Sequence, residues 1–566
     1  MKKINKISIL FLLLGLTFTS CETTDLELVN DPNQVTVVNG DLERYMTAIQ
    51  VDFKSFANAM GGNGASLVRI SQMGSVNYVN AFSPSSTNFE WRLAYSNMFS
   101  DMKNAEALAT SIGGRNKHIG VMKVLKAYTL MSLVDYFGDI PYSEATNLAD
   151  FPQPNLDDDA SVYAAAISML DQAKTLLQDE ESISIGVDYY YNNNFDKWIK
   201  LANTLKMNAY LNTRLVDSEA LSKLNSIASS GNFIASTADD FEFRYDIVVN
   251  NQIDARHPGY QNDYTAGGVN GYQSNWMMDH MLKDNDPRIR YYYYRQNECT
   301  PSALIDWTDP NGVPCPANPE ALFCSTQAKP AHYPGSMVFC SVDNGYWGRD
   351  HGFGGGIPPD TFLRTGRGVY PVGGNYDDNR FASVGLGQGG GGAGITPIWL
   401  ASWSHLMLAE VALVSGGGAS GYLQDAMQIS IDKVMSFGSL DGDANLSTTD
   451  VEGGTVPTTG AVSDYVSAKV TEFSNGDMAT KWNILGLQSF VAHYGNGSNS
   501  YNYYRRTGYP TTLQFTVEPS PGNFVRSLFY PADEATPNPN VTQKANVDGQ
   551  VFWDNNPSSP GFPSAN

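Results

Sequence analysis

The sequence predicts a mainly α-helical protein built from adjacent pairs of helices, with long loop-rich insertions and a few short strands. Apolar residues recur with the 3.6-residue period of a helix in blocks near both ends of the chain. Between these blocks the chain is rich in Gly, Pro, Tyr and Asn and has little periodicity, which is typical of loops and short strands. The helical segments have the length of helical hairpin repeats, but no strict sequence repeat connects them.

The clearest helical pattern covers residues 41–60. Asp41 stands at the N-cap position, and Gly61 is predicted to end the helix. The apolar positions with helical spacing are Leu42, Tyr45, Met46, Ile49, Phe53, Phe56 and Met60. Similar patterns predict helices near 93–111, 119–137, 159–179, 195–216, 398–414, 420–437 and 479–493.

These patterns predict one large domain over residues 41–566. Its helical blocks span 41–231 and 398–494, and a loop-rich region over 232–397 separates them. The C-terminal segment over 495–566 is predicted to be irregular. Because long loops on a helical scaffold often carry function, we expect the functional residues mainly in the loop-rich region.

The N-terminus has the layout of a secretory signal peptide over residues 1–20, with lysines ahead of an apolar run over 7–18. That run is about 12 residues long, whereas a membrane-spanning helix needs about 20. Residues 16–21 (LTFTSC) resemble a bacterial lipobox, so we expect Cys21 to be lipidated. The segment 21–40 would then follow the lipid anchor, and its acidic start resembles a surface-export signal. The alternatives are a soluble secreted protein and an inner-leaflet location.

The composition is acidic but weakly charged. The chain has 36 Lys and Arg against 58 Asp and Glu, with a net charge of -22, so it would repel a phosphate backbone. Nucleic acid is therefore excluded as a partner. Charged residues make up only 17% of the chain and aromatic residues 12%, which suits uncharged, hydroxylated ligands. The alternative is that most Tyr and Trp side chains are packed in the core or at an interface.

Four cysteines remain after Cys21. They are Cys299, Cys315, Cys324 and Cys340. An even, clustered set in an exported protein predicts two disulfides, and the sequence leaves all three pairings open. Zinc is less favoured because there is no Cys-x-x-Cys pair and His332 is the only imidazole nearby.

One acidic stretch has the spacing of a calcium-binding loop. Positions 1, 3, 5, 7, 9 and 12 of that pattern are Asp441, Asp443, Asn445, Ser447, Thr449 and Glu452. Leu446 stands where the pattern has glycine, which opposes the tight turn, so a solvated acidic loop is the alternative. No cofactor other than this calcium ion is expected.

Familiar catalytic motifs are missing from the sequence. It contains no Gly-x-Ser-x-Gly and no His-Glu-x-x-His, which removes support for serine-hydrolase and zinc-protease activity. Gly387, Gly389 and Gly392 fit Gly-x-Gly-x-x-Gly, but no strand pattern precedes them, so we interpret the run as a flexible loop. A glycoside hydrolase needs only two carboxylates at a set separation and remains the enzyme alternative.

Several stretches resemble the SusD/RagB family of nutrient-binding outer membrane lipoproteins. Residues 30–33 (NDPN) resemble one branch of that family. The other stretches are 136–145 (YFGDIPYSEA), 347–352 (WGRDHG), 357–360 (IPPD), 368–374 (GVYPVGG), 505–510 (RRTGYP), 529–531 (FYP) and 553–554 (WD). The departures are the cysteine-bearing segment 299–340 and the glycine run 385–394. Within 136–145, Gly138 and Pro141 indicate a helix stop rather than a binding site.

The resemblance implies a tetratricopeptide-like scaffold, exposure at the cell surface and no catalytic residues. It also implies that the protein binds oligosaccharide-like nutrients and delivers them to a SusC-like TonB-dependent transporter. The competing function is that of a structural or adhesive surface lipoprotein, which would bind no small glycan and co-purify with no barrel.

A sugar-binding protein needs flat aromatic side chains surrounded by polar groups. The aromatic candidates, which lie mainly in predicted loops, are Tyr78, Phe82, Trp91, Tyr272, Trp276, Tyr346 and Trp347. The polar candidates are Arg69, Asn77 and Asp350, and Asp350 could instead pair with Arg349. The run of tyrosines over 291–294 lacks alternation, and we expect it to line an interface with the transporter.

Overall fold

Helices form most of the structure, as the sequence predicts. The computed structural model describes residues 41–251, 253–298, 322–356, 360, 362–447 and 455–556. Within these ranges twelve helices have nine or more residues. They are α1 (Leu42–Leu67), α2 (Ser100–Ile112), α3 (Asn116–Phe137), α4 (Asp159–Leu177), α5 (Phe195–Thr213), α6 (Ala220–Ser230), α7 (Asn275–Lys283), α8 (Ala401–Ser415), α9 (Ala419–Met435), α10 (Thr459–Asn475), α11 (Met478–Ala492) and α12 (Ser498–Thr507).

Consecutive helices pack against each other. The main pairs are α3 with α4 and α8 with α9, and α4, α5 and α6 continue the stack. Helix α12, near the end of the chain, packs on α1, near its beginning. A single hydrophobic core runs through both helical blocks. The mainly α prediction with paired helices is therefore confirmed.

Helix α1 begins where predicted but continues past the predicted stop. The side chain of Asp41 accepts a hydrogen bond from the backbone N–H of Glu43, which confirms the N-cap. The prediction that Gly61 ends the helix is wrong, since the helix continues to Leu67. A Cβ at Gly61 would lie 2.5 Å from Oδ1 of Asn496, and one at Gly64 would lie 2.5 Å from the Tyr136 hydroxyl. Glycine is needed here for close approach rather than for chain reversal.

Two other helix boundaries clarify the sequence patterns. Helix α3 ends at Phe137, and Gly138 follows with φ 75° and ψ -125°, so the predicted helix stop is confirmed. The helix predicted near 93–111 is longer and mixed. A short α-helix (Asn88–Arg92) leads into a π-helix (Leu93–Phe99), which continues as α2.

Four of the twelve helices were not predicted individually. Helix α6 falls within the first helical block, α10 falls within the second, and α7 lies in the region predicted to be loop-rich. Helix α12 lies in the segment 495–566 that was predicted to be irregular, and that prediction is wrong for Ser498–Thr507.

The loop-rich region contains two short antiparallel sheets. Strand β1 (Phe241–Arg244) pairs with β4 (Ile395–Trp399), and β2 (Tyr293–Tyr294) pairs with β3 (Gly366–Arg367). The first sheet joins the start of this region to its end, next to helix α8.

The four consecutive tyrosines over 291–294 are buried, with exposed fractions of 0 to 1%. Tyr292 stacks on Tyr494 with ring centroids 4.3 Å apart. The expectation that the run lines an interface is therefore wrong, because these rings pack inside the protein.

The cysteine-bearing segment contains one disulfide among the described residues, between Cys324 and Cys340. Both cysteines belong to a small separate core with Leu322, Trp347 and Phe353. Cys299 and Cys315 lie outside the described residues. One of the two predicted disulfides is thus seen among the described residues.

A buried ion-pair network joins α12 and α8 to the end of α5 in the first helical block. Arg506 of α12 donates to both carboxylate oxygens of Glu410 on α8, at 2.8 and 2.6 Å. It also donates to Asn212 of α5 at 2.6 Å, and Arg214 lies 3.2 Å from Glu410. Burial alone would raise the pKa of Glu410, but Arg506 and Arg214 outweigh it and hold that pKa below its ordinary value. Glu410 is therefore ionised in the folded protein.

We predict that Glu410→Gln lowers the free energy of unfolding by about 3 to 5 kcal/mol at pH 7, because it leaves two buried guanidinium groups without a counter-charge. Urea denaturation followed by circular dichroism measures this loss. Because the pKa of Glu410 is lowered by folding, its contribution is present above the ordinary carboxyl pKa and disappears as the pH falls through the lowered value. The gap between wild type and variant should therefore narrow in acid.

Glu219→Gln is the matched control. Glu219 is an exposed glutamate whose ion pair with Lys223 is 3.1 Å long. Removing this exposed charge should change stability by less than about 1 kcal/mol. Equal losses in the two variants would contradict a structural role for the buried pair.

Candidate functional site

A cleft of about 420 Å³ lies where the loop-rich region meets the second helical block. Its walls are helices α7, α10 and α11 together with two loops. One loop, 334–338, lies between the two bonded cysteines, and the other, 511–515, follows α12. The cleft is therefore assembled from parts of the chain that are distant in sequence.

Trp276 is the aromatic residue of the cleft that was predicted from the sequence. It lies in the first turn of α7, whose N-cap is the hydroxyl of Ser274. The indole N–H donates to the carbonyl of Thr512 at 2.8 Å. The ring stacks on His280 with centroids 6.0 Å apart and meets the edge of Phe490 at 6.3 Å. These contacts fix the orientation of the ring, which is 6% exposed and presents only a small part of its surface to the cleft.

The rest of the apolar wall comes from both loops and from α11. Ile484 and Leu487 of α11 lie in the cleft wall with Met337 and Phe515. The two loops are joined, since the Tyr333 hydroxyl donates to the carbonyl of Phe515 at 2.8 Å. The disulfide loop thus holds one side of the cleft in place.

The cations of the cleft are paired with carboxylates. The ammonium group of Lys469 lies 2.7 Å from Asp284 and 3.1 Å from Glu472, and that of Lys283 lies 2.7 Å from Asp279. Burial alone would lower the pKa of Lys469, but its hydrogen bonds to these carboxylates outweigh burial and raise it. Because both lysines that line the cleft form ion pairs with its carboxylates, neither is free to attract an anionic ligand.

His280 is the remaining titratable group of the cleft. Burial lowers its pKa below the ordinary histidine value, and the nearby carboxylates of Asp284 and Asp286 offset this only in part. His280 is therefore neutral at pH 7. A neutral imidazole can donate one hydrogen bond and accept one, which suits a ligand hydroxyl.

Most of the other predicted ligand-binding residues lie inside the protein. Arg69, Tyr78 and Asp350 come together around Gln514. Nε of Arg69 donates to the Gln514 carbonyl at 2.9 Å, and its Nη2 donates to the Tyr78 hydroxyl at 2.9 Å. The side-chain amide of Gln514 donates to Asp350 at 2.7 Å. This cluster is fully buried, so in this structure it joins loops rather than facing solvent.

The second group surrounds Tyr272. Its half-buried ring lies between two guanidinium groups, with Arg349 at 3.8 Å and Arg364 at 4.1 Å from the ring centroid. Arg349 pairs with Asp360 at 2.9 Å. The ion pair of Arg349 is therefore with Asp360 rather than with Asp350. Tyr272 donates to the same carboxylate at 3.0 Å.

The remaining candidates are dispersed. Asn77 caps a short helix (Tyr78–Ala81). Phe82, Trp91, Tyr346 and Trp347 are buried, with exposed fractions of 5, 4, 3 and 1%. Of the ten predicted ligand-binding residues, only Trp276 lines the cleft.

Sequence reasoning missed the residues that complete the cleft. They are His280, Lys469, Glu472, Ile484, Leu487, Met337 and Phe515. Only the cysteine spacing pointed to an ordered loop at 334–338. The other walls come from α7 and α10, which were not predicted, from the predicted helix α11, and from a segment expected to be irregular.

The calcium pattern is described only in part, since Thr449 and Glu452 lie outside the described residues. The carboxylate of Asp441 accepts a hydrogen bond from the backbone N–H of Tyr376 at 2.9 Å and pairs with Arg380. Asp443, Asn445 and Ser447 follow it in a turn-rich loop. Calcium binding therefore stays a prediction.

One three-carboxylate group occurs among the described residues. It consists of Asp139, Asp158 and Asp159, whose oxygens lie within 4.8 Å of one another. Each already accepts a backbone N–H, as when Asp158 caps α4 through Ser161. These backbone hydrogen bonds, which tie the turn after α3 to the start of α4, account for the cluster.

Two family models match the sequence. One, described as starch-binding and associating with the outer membrane, covers residues 45–304. The other, described as SusD and RagB outer membrane lipoprotein, covers residues 395–551. Neither covers 305–394, which includes most of the cysteine-bearing segment and the glycine run that depart from the family pattern. No curated protein matches the sequence.

Solved structures share this fold over 91% of the chain. A SusD/RagB family protein from Bacteroides thetaiotaomicron is 20% identical, with 99% of its own chain covered and a TM-score of 0.62. A chitin-binding SusD homologue from Flavobacterium johnsoniae is 17% identical, with 99% of its chain covered and a TM-score of 0.60. A further chitin-binding protein is 19% identical, with its whole chain covered and a TM-score of 0.62.

Among the described residues, no helix combines the length and the hydropathy needed to cross a bilayer. The family models match both helical blocks, and the solved relatives share the arrangement of helices and loops. The chain therefore belongs to the SusD/RagB family of outer membrane lipoproteins, whose members are binding proteins rather than enzymes.

Proposed function

We propose that this protein is anchored to the outer membrane through Cys21, binds uncharged oligosaccharides in the Trp276 cleft at the cell surface, and delivers them to a SusC-like TonB-dependent transporter. The observation that carries the proposal is the cleft itself, which combines a fixed aromatic ring with carboxylates and a neutral imidazole.

The comparisons support a carbohydrate as the ligand. One matching family model is described as starch-binding, and two structural relatives are described as chitin-binding. Both polymers are neutral or nearly so and present alternating apolar faces and hydroxyl groups.

The chemistry of the cleft agrees with an uncharged, hydroxylated ligand. Asp279, Asp284 and Glu472 each carry more acceptor sites than their lysine partners occupy, so each can accept a ligand hydroxyl. Packing a sugar face of roughly 50 Å² against the wall contributes about 1 kcal/mol. Millimolar affinity needs about 4 kcal/mol, so several hydrogen bonds must add to that packing.

Weak contacts between the binding protein and its transporter are sufficient for delivery. A lipid anchor keeps the binding protein and the transporter in one membrane, which raises their effective concentration toward each other. Weak individual contacts then suffice to pass the ligand on.

We predict that Trp276→Ala weakens the binding of neutral oligosaccharides, such as chito- or malto-oligosaccharides, by about 5- to 30-fold, because it removes about 1 to 2 kcal/mol of apolar contact. Isothermal titration calorimetry on the purified protein measures the loss. Trp482→Ala is the matched control, since Trp482 lies on α11, which lines the cleft, but packs on Tyr509 and does not line the cleft itself. Unchanged affinity in the Trp276 variant would place the binding site elsewhere.

We also predict that any change of oligosaccharide affinity with pH is centred below the ordinary histidine value. Because burial lowers the pKa of His280, the imidazole is neutral at pH 7 and gains a proton only below that value. Calorimetry in buffers of matched ionic strength provides the measurement. A change in affinity centred near the ordinary histidine value would contradict a buried, neutral His280.

We further predict that Cys21→Ser releases the protein from the outer membrane, because the acyl chains that anchor it are lost and each buried methylene contributes about 0.8 kcal/mol. Membrane fractionation followed by immunoblotting checks this outcome.

The wild-type protein, purified from detergent-solubilised outer membranes, should bring a TonB-dependent barrel with it. If no barrel co-purifies and no glycan binds, the structural or adhesive alternative gains support.

A further inference from the structure

A second cleft lies in the first helical block, away from Trp276. It has a volume of about 360 Å³ and lies between α2 and α3, with the loop residue Thr146 and Met169 of α4 completing its lining. None of its lining residues contributes to the first cleft. Neither the family motifs nor the proposed function assigns it a role.

The charge of this second cleft is opposite to that of the chain. Lys103, Lys123 and Lys126 line it, whereas Glu106 is the one carboxylate among its lining residues. The whole chain has a net charge of -22. The lining residues therefore carry a local excess of two formal positive charges on an acidic protein.

The three lysines differ in their partners. Lys123 lies 3.5 Å from Glu106, and Lys103 donates to the backbone carbonyl of Thr146 at 2.6 Å. Within the described residues Lys126 has no hydrogen bond or ion pair, and its ammonium group lies 5.3 Å from the centre of the Phe99 ring. Burial lowers the pKa of Lys126, and the charge of Glu106 offsets this only in part. A partly desolvated cation without a carboxylate partner gains from an incoming anion.

The base of the cleft is apolar and adaptable. Met102, Met122 and Met169 lie beneath the lysines with exposed fractions of 3, 3 and 8%. Methionine side chains are unbranched and polarizable, so they fit ligands of varied outline. An inorganic anion would leave this apolar base unused, whereas an organic anion would contact it.

We propose that this cleft binds a small carboxylate whose carbon skeleton packs on the methionines while its oxygens face Lys126 and Lys103. Two sources carry this chemistry: an aliphatic acid and the uronic acid of a sugar. The binding is independent of the neutral-oligosaccharide cleft, because the two sites share no residue and differ in charge.

The test titrates the full-length protein with sodium hexanoate, sodium glucuronate and, as a neutral analogue, hexanol, in isothermal titration calorimetry. We expect at least one carboxylate to bind with a millimolar or lower Kd and hexanol to bind at least tenfold more weakly. Hexanoate binding identifies an aliphatic acid and glucuronate binding identifies a uronic acid, and either supports the proposal. Absence of binding by both, or equal binding of hexanol, overturns it.

Variants place the binding in the cleft. Lys126→Gln should weaken carboxylate binding at least tenfold, and Lys103→Gln provides a second variant if the first folds poorly. Lys174→Gln on α4 is the control, since that lysine pairs with Asp171 outside the cleft and should leave the Kd unchanged. An unchanged Kd in both cleft variants overturns the assignment. The affinity of the Trp276 cleft for neutral glycans should be the same in all three variants.

Discussion

The frame of this protein depends on the buried bidentate contact between Arg506 and Glu410. Through it, helix α12 near the end of the chain is tied to α8, and Asn212 extends the network to α5. Asn212 in turn donates to Tyr163 of α4 at 3.0 Å. Charges removed from water stabilise a fold only when every partner is in place. The contact therefore favours one packing of four helices over any partly assembled alternative.

Residues of the family motifs also make buried polar contacts that hold distant helices together. Arg505, next to Arg506, stacks on Tyr501 and Trp553, and Trp553 donates to Asp135 at 2.8 Å. Two of the stretches that carry the resemblance, 505–510 and 553–554, thus meet in one buried cluster that joins α12 to α3. The cleft instead takes one wall from 334–338, within the stretch that neither family model covers. The family models therefore cover the frame and most of the candidate cleft, while one wall of that cleft comes from a loop outside both models.

Whether a helix was predicted from the sequence depended on the residues of its buried face. Helix α1 was predicted because its buried positions are apolar and regularly spaced, as at Met46, Ile49 and Phe53. Helix α12 was missed because Asn502, Arg505 and Arg506 are buried alongside its tyrosines, so no apolar stripe is visible. In the cleft, Trp276 was found as an aromatic residue in a polar region. Its neighbours come from separate segments, and only tertiary packing reveals which of them meet.

The close contact of α1 with the segment around Gly497 also affects how the chain folds. The backbone N–H of Gly497 donates to the carbonyl of Gly61 at 2.9 Å, so the first long helix is completed by residues far along the chain. Contacts between such distant positions slow folding and leave apolar surface exposed meanwhile. The chain is consequently at risk of aggregation until α12 has packed against α1.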